Sequence, residues 1–142
     1  MIELRDEGLY CPEGDFFIDP LLPCKNAVIT HAHADHARPG MKNYICTPET
    51  SEIMKLRINN DLAINEVEYN KEIQINSVNI TFIPAGHVLG SSQIKIDNGN
   101  EVTIITGDYK RASDPTCKAF EVHECDTFVT EATFASPNFK WP

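Results

Sequence analysis

An α/β fold of the α+β type, built mostly from short strands, is predicted by three features of the sequence. Apolar and polar residues alternate around turn-forming pairs, the pattern of antiparallel hairpins. One stretch carries helix-capping signals at both ends. The length of 142 residues suits one domain able to bury about two-thirds of its unfolded surface.

The elements follow in order. Residues 9–11 and 16–18 flank Pro12-Glu13-Gly14-Asp15 and read as a hairpin, with Asp19 closing its second strand. Residues 27–29 form the centre of a short buried strand and residues 44–46 another. Thr47 is placed as a helix N-cap and Pro48 at the first helical position. Glu49 and Glu52 then suit the early turns, and Lys55 and Arg57 the late ones. Ile53, Leu56 and Ile58 are the expected inner face. Residues 72–85 read as two strands around Asn76-Ser77, and residues 92–108 repeat the pattern around Asp97-Asn98-Gly99. Residues 126–134 are the predicted last strand, and helices are expected between strands. No internal repeat, low-complexity tract or linker is present.

Composition narrows the function classes. Hydrophobic residues at 42% and charged residues at 23% describe a folded soluble chain rather than a disordered one. No run approaches about 18 apolar residues and the first ten are acidic and mixed. Neither a membrane span nor a signal peptide is therefore expected, and the expected location is cytoplasmic. Cys11, Cys24, Cys46, Cys117 and Cys125 are odd in number and contain no CxxC pair, which favours reduced thiols over a disulfide framework. The net charge of −9 ordinarily argues against a polyanionic partner. Bound cations would offset ligand carboxylates, however, and Arg38, Lys42, Lys110 and Arg111 lie beside the segments that carry chemistry.

The densest of these segments is His31-Ala32-His33-Ala34-Asp35-His36, which packs four metal-ligand side chains into one turn just past an apolar run. His31 and His33 can aim their imidazoles together only if the backbone leaves strand geometry. Asp35 and His36 continue around the bend, so two ligand pairs can face two neighbouring ions. His87 stands between Gly86 and Gly90, which free the backbone to bring it close. Asp108 follows Thr106-Gly107 and has two oxygens suited to bridging. Asp19, His31, His87, Asp108 and Glu131 each stand just past an apolar run, where side chains converge on one rim of a scaffold. Two ions about 3.5–4 Å apart lower the pKa of a shared water toward ~7 and stabilise both oxygens of an in-line displacement. That chemistry suits phosphodiester hydrolysis. Asp19 and Glu131 are expected to orient ligand imidazoles or assist proton transfer, alongside Asp35. Lys110 and Arg111 are the expected phosphate contacts. Each residue also has a plain reading: a capped turn for His87, a turn initiator for Asp19-Pro20, a solvated acid for Glu131, a surface residue for His123.

The sequence HAHADH at residues 31–36 resembles the HxHxDH signature of the metallo-β-lactamase fold. PAGHVLGSSQ and TGDYKR resemble that family's next two metal motifs, and FFIDP, with Asp19, its first acidic motif. The resemblance implies a four-layer αββα sandwich with a dinuclear site held by His31, His33, Asp35, His36, His87 and Asp108. Val88 and Tyr109 stand where thioester and lactone hydrolases of the superfamily tend to carry Thr. GHVLGSSQ, GDYKR and TEATF are instead similar to the β-CASP nucleases, in which the last segment is motif A and Glu131 its acid. TGDYKRASDPTC and CDTFVTEATFASPNFKW look most like ligase-associated DNA exonucleases, often labelled mRNA 3′-end processing factors.

The resemblance therefore implies a nuclease using two divalent ions, zinc or alternatively manganese, on DNA ahead of RNA, with DNA ligase or helicase as associates and DNA repair as context. It places residues 1–142 in the N-terminal portion of a metallo-β-lactamase domain, ending where a β-CASP insertion is expected, so that the sandwich is incomplete. The set His31, His33 and His87 is then expected to be more complete than Asp35, His36 and Asp108, and self-association of the uncovered core is expected. The rival classes are an RNA-processing nuclease, a small-molecule hydrolase on the same fold, and a non-catalytic metal-binding remnant.

Overall fold

The computed structural model describes residues 1–132. Residues 133–142, which include Phe134 of the expected last strand and most of the motif-A-like tail, lie outside the described residues. The strands are β1 (Glu3–Arg5), β2 (Gly8–Cys11), β3 (Phe16–Ile18), β4 (Asn26–Val28), β5 (Asn43–Cys46), β6 (Ile64–Glu66), β7 (Ile73–Ile75), β8 (Val78–Pro84), β9 (Ser92–Asp97), β10 (Val102–Ile105) and β11 (Thr127–Val129). A single helix among the described residues, α1 (Pro48–Arg57), sits between β5 and β6.

Two sheets form, ordered β1-β2-β3-β4-β5-β6 and β11-β10-β9-β8-β7. Hairpins make the antiparallel pairs, whereas β3, β4, β5 and β6 run parallel because α1 and longer loops return the chain to the same end. Inward-facing Phe16, Ile18, Val28, Ile80, Phe82, Ile94 and Ile96 fill the space between the sheets. On the outer face of the first sheet, Ala27, Ile29, Tyr44 and Cys46 pack with Met54 of α1. The arrangement is helix, sheet, sheet. On the outer face of the second sheet the irregular segment 107–126 lies across β8 and β9: Gln93 Nε2 donates to Glu121 O at 2.8 Å, and Glu121 N to Pro84 O at 3.2 Å.

Three expectations need correction. Leu56 is 90% exposed; Ile53 and Ile58 of the expected face are partly buried against the core beneath α1, and the fully buried positions of the helix are Thr50, Ser51 and Met54. One helix replaces the expected several, because segment 107–126 covers its sheet without regular structure. The last strand spans only Thr127–Val129, the residues that find a ladder partner in β10. All five cysteines are free thiols, and no described helix is long and apolar enough to cross a membrane.

Parallel register decides what meets at the rim. Ile18 pairs with Val28, which sets Asp19 beside Thr30. Ile105 pairs with Val129, which sets Thr106–Asp108 beside Thr130–Glu131.

Candidate metal centre

Past β4 the chain leaves the sheet through a tight turn in which His33 O accepts from both His36 N (3.0 Å) and Ala37 N (2.8 Å). That turn brings His36 back beside His31 and leaves Asp35 at the surface. His31 is completely buried, and the rings of His33, His36 and His87 surround it with centroids 4.8, 4.2 and 5.0 Å away. His87 arrives from the β8–β9 turn, where His87 N and Val88 N both donate to Ser91 Oγ at 3.1 and 3.2 Å.

Asp108 stands between the imidazoles. Its Oδ2 lies 3.8 Å from His31 Nε2 and 3.7 Å from His87 Nε2, and its Oδ1 lies 3.4 Å from His36 Nε2. His33 Nδ1 approaches His87 Nε2 at 3.3 Å. His31, His33, His87 and Asp108 thus offer one ligand atom each, all within 4.8 Å of one another. On the other side, His36 Nε2 faces Asp35 Oδ2 at 3.6 Å. Asp108 belongs to both sides rather than to the His36 side alone.

The donors fit a divalent cation. His31 Nε2 is buried without a hydrogen-bond partner, an arrangement that costs about 1–3 kcal/mol unless something binds there. Three imidazoles and a carboxylate are a donor set that zinc-like ions take. Burial, reinforced by the neighbouring imidazoles, pushes the His31 pKa down to about 2 and keeps the ring in its neutral, ligating form. Burial also lowers the His87 pKa. For His36 burial pulls downward, but its hydrogen bond to Asp19 and the nearby carboxylates outweigh it and the pKa rises. Burial raises the Asp108 pKa, with Glu131 adding to the effect and His36 opposing it.

Asp19 orients this group from behind. It holds a left-handed φ of +45°, uncommon for a residue with a side chain, and its two oxygens are fully engaged. Oδ1 accepts from Thr30 N at 2.8 Å; Oδ2 accepts from Thr30 Oγ1 at 2.5 Å and from His36 Nδ1 at 2.7 Å. With its proton given to Asp19, Thr30 Oγ1 accepts from His31 Nδ1 at 3.0 Å, which directs the Nε2 lone pair to the centre. Asp19, His31 and His36 also lie close enough to form a ligand group, but these hydrogen bonds make Asp19 an orienting residue. Thr30 escaped sequence reasoning; a hydroxyl residue next to the first histidine at a strand end was its signal.

Glu131 holds the Asp108 turn: its Oε1 accepts from Tyr109 N at 2.9 Å, and its N–H donates to Thr106 Oγ1 at 3.3 Å. Asp35 is largely exposed, with 72% of its side chain accessible. Lys110 turns its ammonium to Asp114 Oδ2 at 3.5 Å, and Arg111 is exposed. His123 is a surface residue paired with Glu121 at 3.3 Å. A cleft of about 330 Å³, lined by Ile18, Asp19, Asp35, His36, Asp108 and Glu131 among others, opens beside the centre.

Comparison with known proteins places this geometry in context. A probable DNA ligase of Opitutus terrae is 26% identical over 137 residues, covering 95% of this chain and 13% of the relative. Transcription termination factor FttA of Methanosarcina mazei is 30% identical over 167 residues, covering 92% and 25%. Endoribonuclease YSH1 of Kluyveromyces lactis is 31% identical over 75 residues, covering 51% and 10%. The chain therefore spans at most a quarter of the length of these relatives. Among solved structures, the metallo-β-lactamase fold protein YhfI of Bacillus subtilis superposes with a TM-score of 0.52 at 13% identity, covering 70% of this chain and 52% of that one. No protein-family model matches the chain.

Proposed function

We propose that this chain belongs to the β-CASP nucleases of the metallo-β-lactamase fold and carries the metal centre of a nuclease hydrolysing DNA phosphodiester bonds. The observation that carries the reading is Asp108, whose two carboxylate oxygens face His31 and His87 on one side and His36 on the other. This supports two adjacent ion sites, one held by His31, His33, His87 and Asp108 and the other by Asp35, His36 and Asp108.

Divalent ions bound there, zinc ahead of manganese, would supply Lewis acidity toward the phosphate and would lower the pKa of an attacking water. The chain's own residues do the rest. Asp19 and Thr30 hold two imidazoles in the tautomer that presents Nε2 inward. Asp35, the most exposed acid of the group, is placed to receive or return a proton at the cleft. Glu131 keeps the Asp108 turn in position through Tyr109 N. Lys110 and Arg111, two and three residues past Asp108, are the proposed phosphate contacts.

DNA is the proposed substrate because one relative that matches nearly the whole chain is named as a probable DNA ligase, which also suggests association with a strand-joining enzyme. RNA is the second reading, favoured by the endoribonuclease relatives. The test is cleavage of end-labelled DNA and RNA oligonucleotides by the full-length protein with zinc or manganese. Asp108→Asn is expected to lower cleavage at least about 100-fold, and unaltered cleavage by that variant defeats the mechanism. A preference for RNA would transfer the reading to the second class.

A further inference from the structure

The inner face of α1 mixes apolar Met54, Ile53 and Ile58 with buried Thr50 and Ser51, and polar groups at both ends of the helix reach the two loops that carry the imidazoles. We propose that α1 is a brace setting the separation of those loops, with Thr47, Thr50 and Arg57 as positioning residues. The inference rests on the metal-centre reading above.

At the start of the helix, Thr47 Oγ1 and Thr50 Oγ1 both donate to Gly90 O, at 2.8 and 3.0 Å. Both threonines are buried. Gly90 lies three residues past His87 and has a φ of +83°; a Cβ there would sit 2.6 Å from Thr50 Oγ1 and 2.7 Å from Thr50 N. Only glycine lets the His87 loop approach the helix this closely. Where the helix ends, Arg57 Nε donates to Ala32 O at 3.0 Å and Arg57 Nη2 donates to Ala37 O. Ala32 separates His31 from His33, and Ala37 follows His36, so one guanidinium grips both sides of the first ligand turn with charge-assisted hydrogen bonds.

A helix of ten residues is stiff over its roughly 15 Å length. Tying one end to the His87 loop and the other to the 31–37 turn fixes their spacing before any ion arrives. The ordering of loops is then not charged against ion binding, the general advantage of preorganisation. Met54 shares an apolar cluster with Ala32 and Ala37 of the ligand turn but makes no hydrogen bond to either loop, and so separates apolar packing from the polar brace.

The test measures zinc affinity of the full-length protein by competition with a chromogenic chelator, together with the visible spectrum of the cobalt-substituted protein. Arg57→Met and the double variant Thr47→Val/Thr50→Val are each expected to weaken zinc binding about tenfold or more and to alter the cobalt bands. Arg57→Lys keeps the charge without the fork and is expected to fall between Arg57→Met and the parent; it serves if Arg57→Met fails to fold. Met54→Ala is expected to lower Tm at least as much while leaving zinc affinity within about twofold. Parent-like affinity and spectra in the Arg57 and threonine variants overturn the brace, as does an equal loss in Met54→Ala. A parent protein that takes up no ion overturns the metal-centre reading itself, which separates the two failures.

Discussion

The turn after β4 and the segment after β10 deliver ligand candidates to the same rim but are held in opposite ways. Residues 31–41 are anchored by Asp19 and Thr30 at one end. At the other end Tyr44 OH donates to Arg38 O at 2.7 Å, and Arg57 grips the middle. Segment 107–126 is mostly half-buried or exposed and is held by scattered backbone contacts such as Lys110 N to Ala85 O at 3.0 Å. The first region presents imidazoles locked in tautomer and direction, while the second presents a carboxylate on a turn with room around it. On the function proposed above, ion affinity is expected to reside mainly in the first region and substrate handling in the second.

The largest effect that tests this contrast lies behind the imidazoles. Asp19→Asn, which cannot accept from Thr30 and His36 in the same way, is expected to weaken zinc binding about 10- to 100-fold. A change under twofold in a chelator titration would show that the first region does not depend on its support. Next comes Gly107→Ala. Gly107 has φ +54°, and a Cβ there would lie 2.6 Å from Thr30 Oγ1. The substitution forces the two regions apart and is expected to cost about 1–3 kcal/mol in chemical denaturation; a variant as stable as the parent contradicts the close contact.

Acid is expected to weaken the metal-free protein by on the order of 1 kcal/mol per pH unit below about 6.5. The sign follows from His31, whose pKa falls from 6.5 to about 2 on folding. Between those values the unfolded chain binds a proton that the folded chain refuses, so stability is full above 6.5 and drains as pH falls toward 2. His87 shifts the same way. His36 shifts oppositely, so its contribution is complete below 6.5 and is lost as pH rises through its folded value. Thermal melts in chelator at pH 7.5, 6.5 and 5.5 check this, and a Tm that climbs on acidification contradicts it. The smallest effect belongs to Lys110→Ala and Arg111→Ala: stability within about 0.5 kcal/mol and unchanged zinc affinity, with weaker oligonucleotide binding and a shallower salt dependence. A loss of zinc binding in either would erase the division between the two regions.

Local signals carried much of the architecture. The hairpins turning at Asn76-Ser77 and Asp97-Asn98-Gly99 formed as their turn residues predict, and Thr47 caps α1 through Thr50 N. Strands β1 and β6 were not legible, because three mostly exposed residues on a sheet edge have no apolar alternation to read. On α1, Ile53 and Ile58 pack inward as expected, but Leu56 faces out, and the donors at Thr47, Thr50 and Arg57 were not legible because the carbonyls they serve lie on distant loops.

The chain's order of residues was sufficient to set its central strands, its hairpins and the cluster of ligand candidates at residues 31–36, since each depends on neighbours a few positions apart. Tertiary structure alone decided the distances at which Asp108, expected to bridge, meets the imidazoles, that Thr30 orients His31, and that Arg57 grips the ligand turn. Those contacts join residues whose proximity exists only once parallel strands pair in register and the helix docks on the sheet, so no spacing along the chain encodes them.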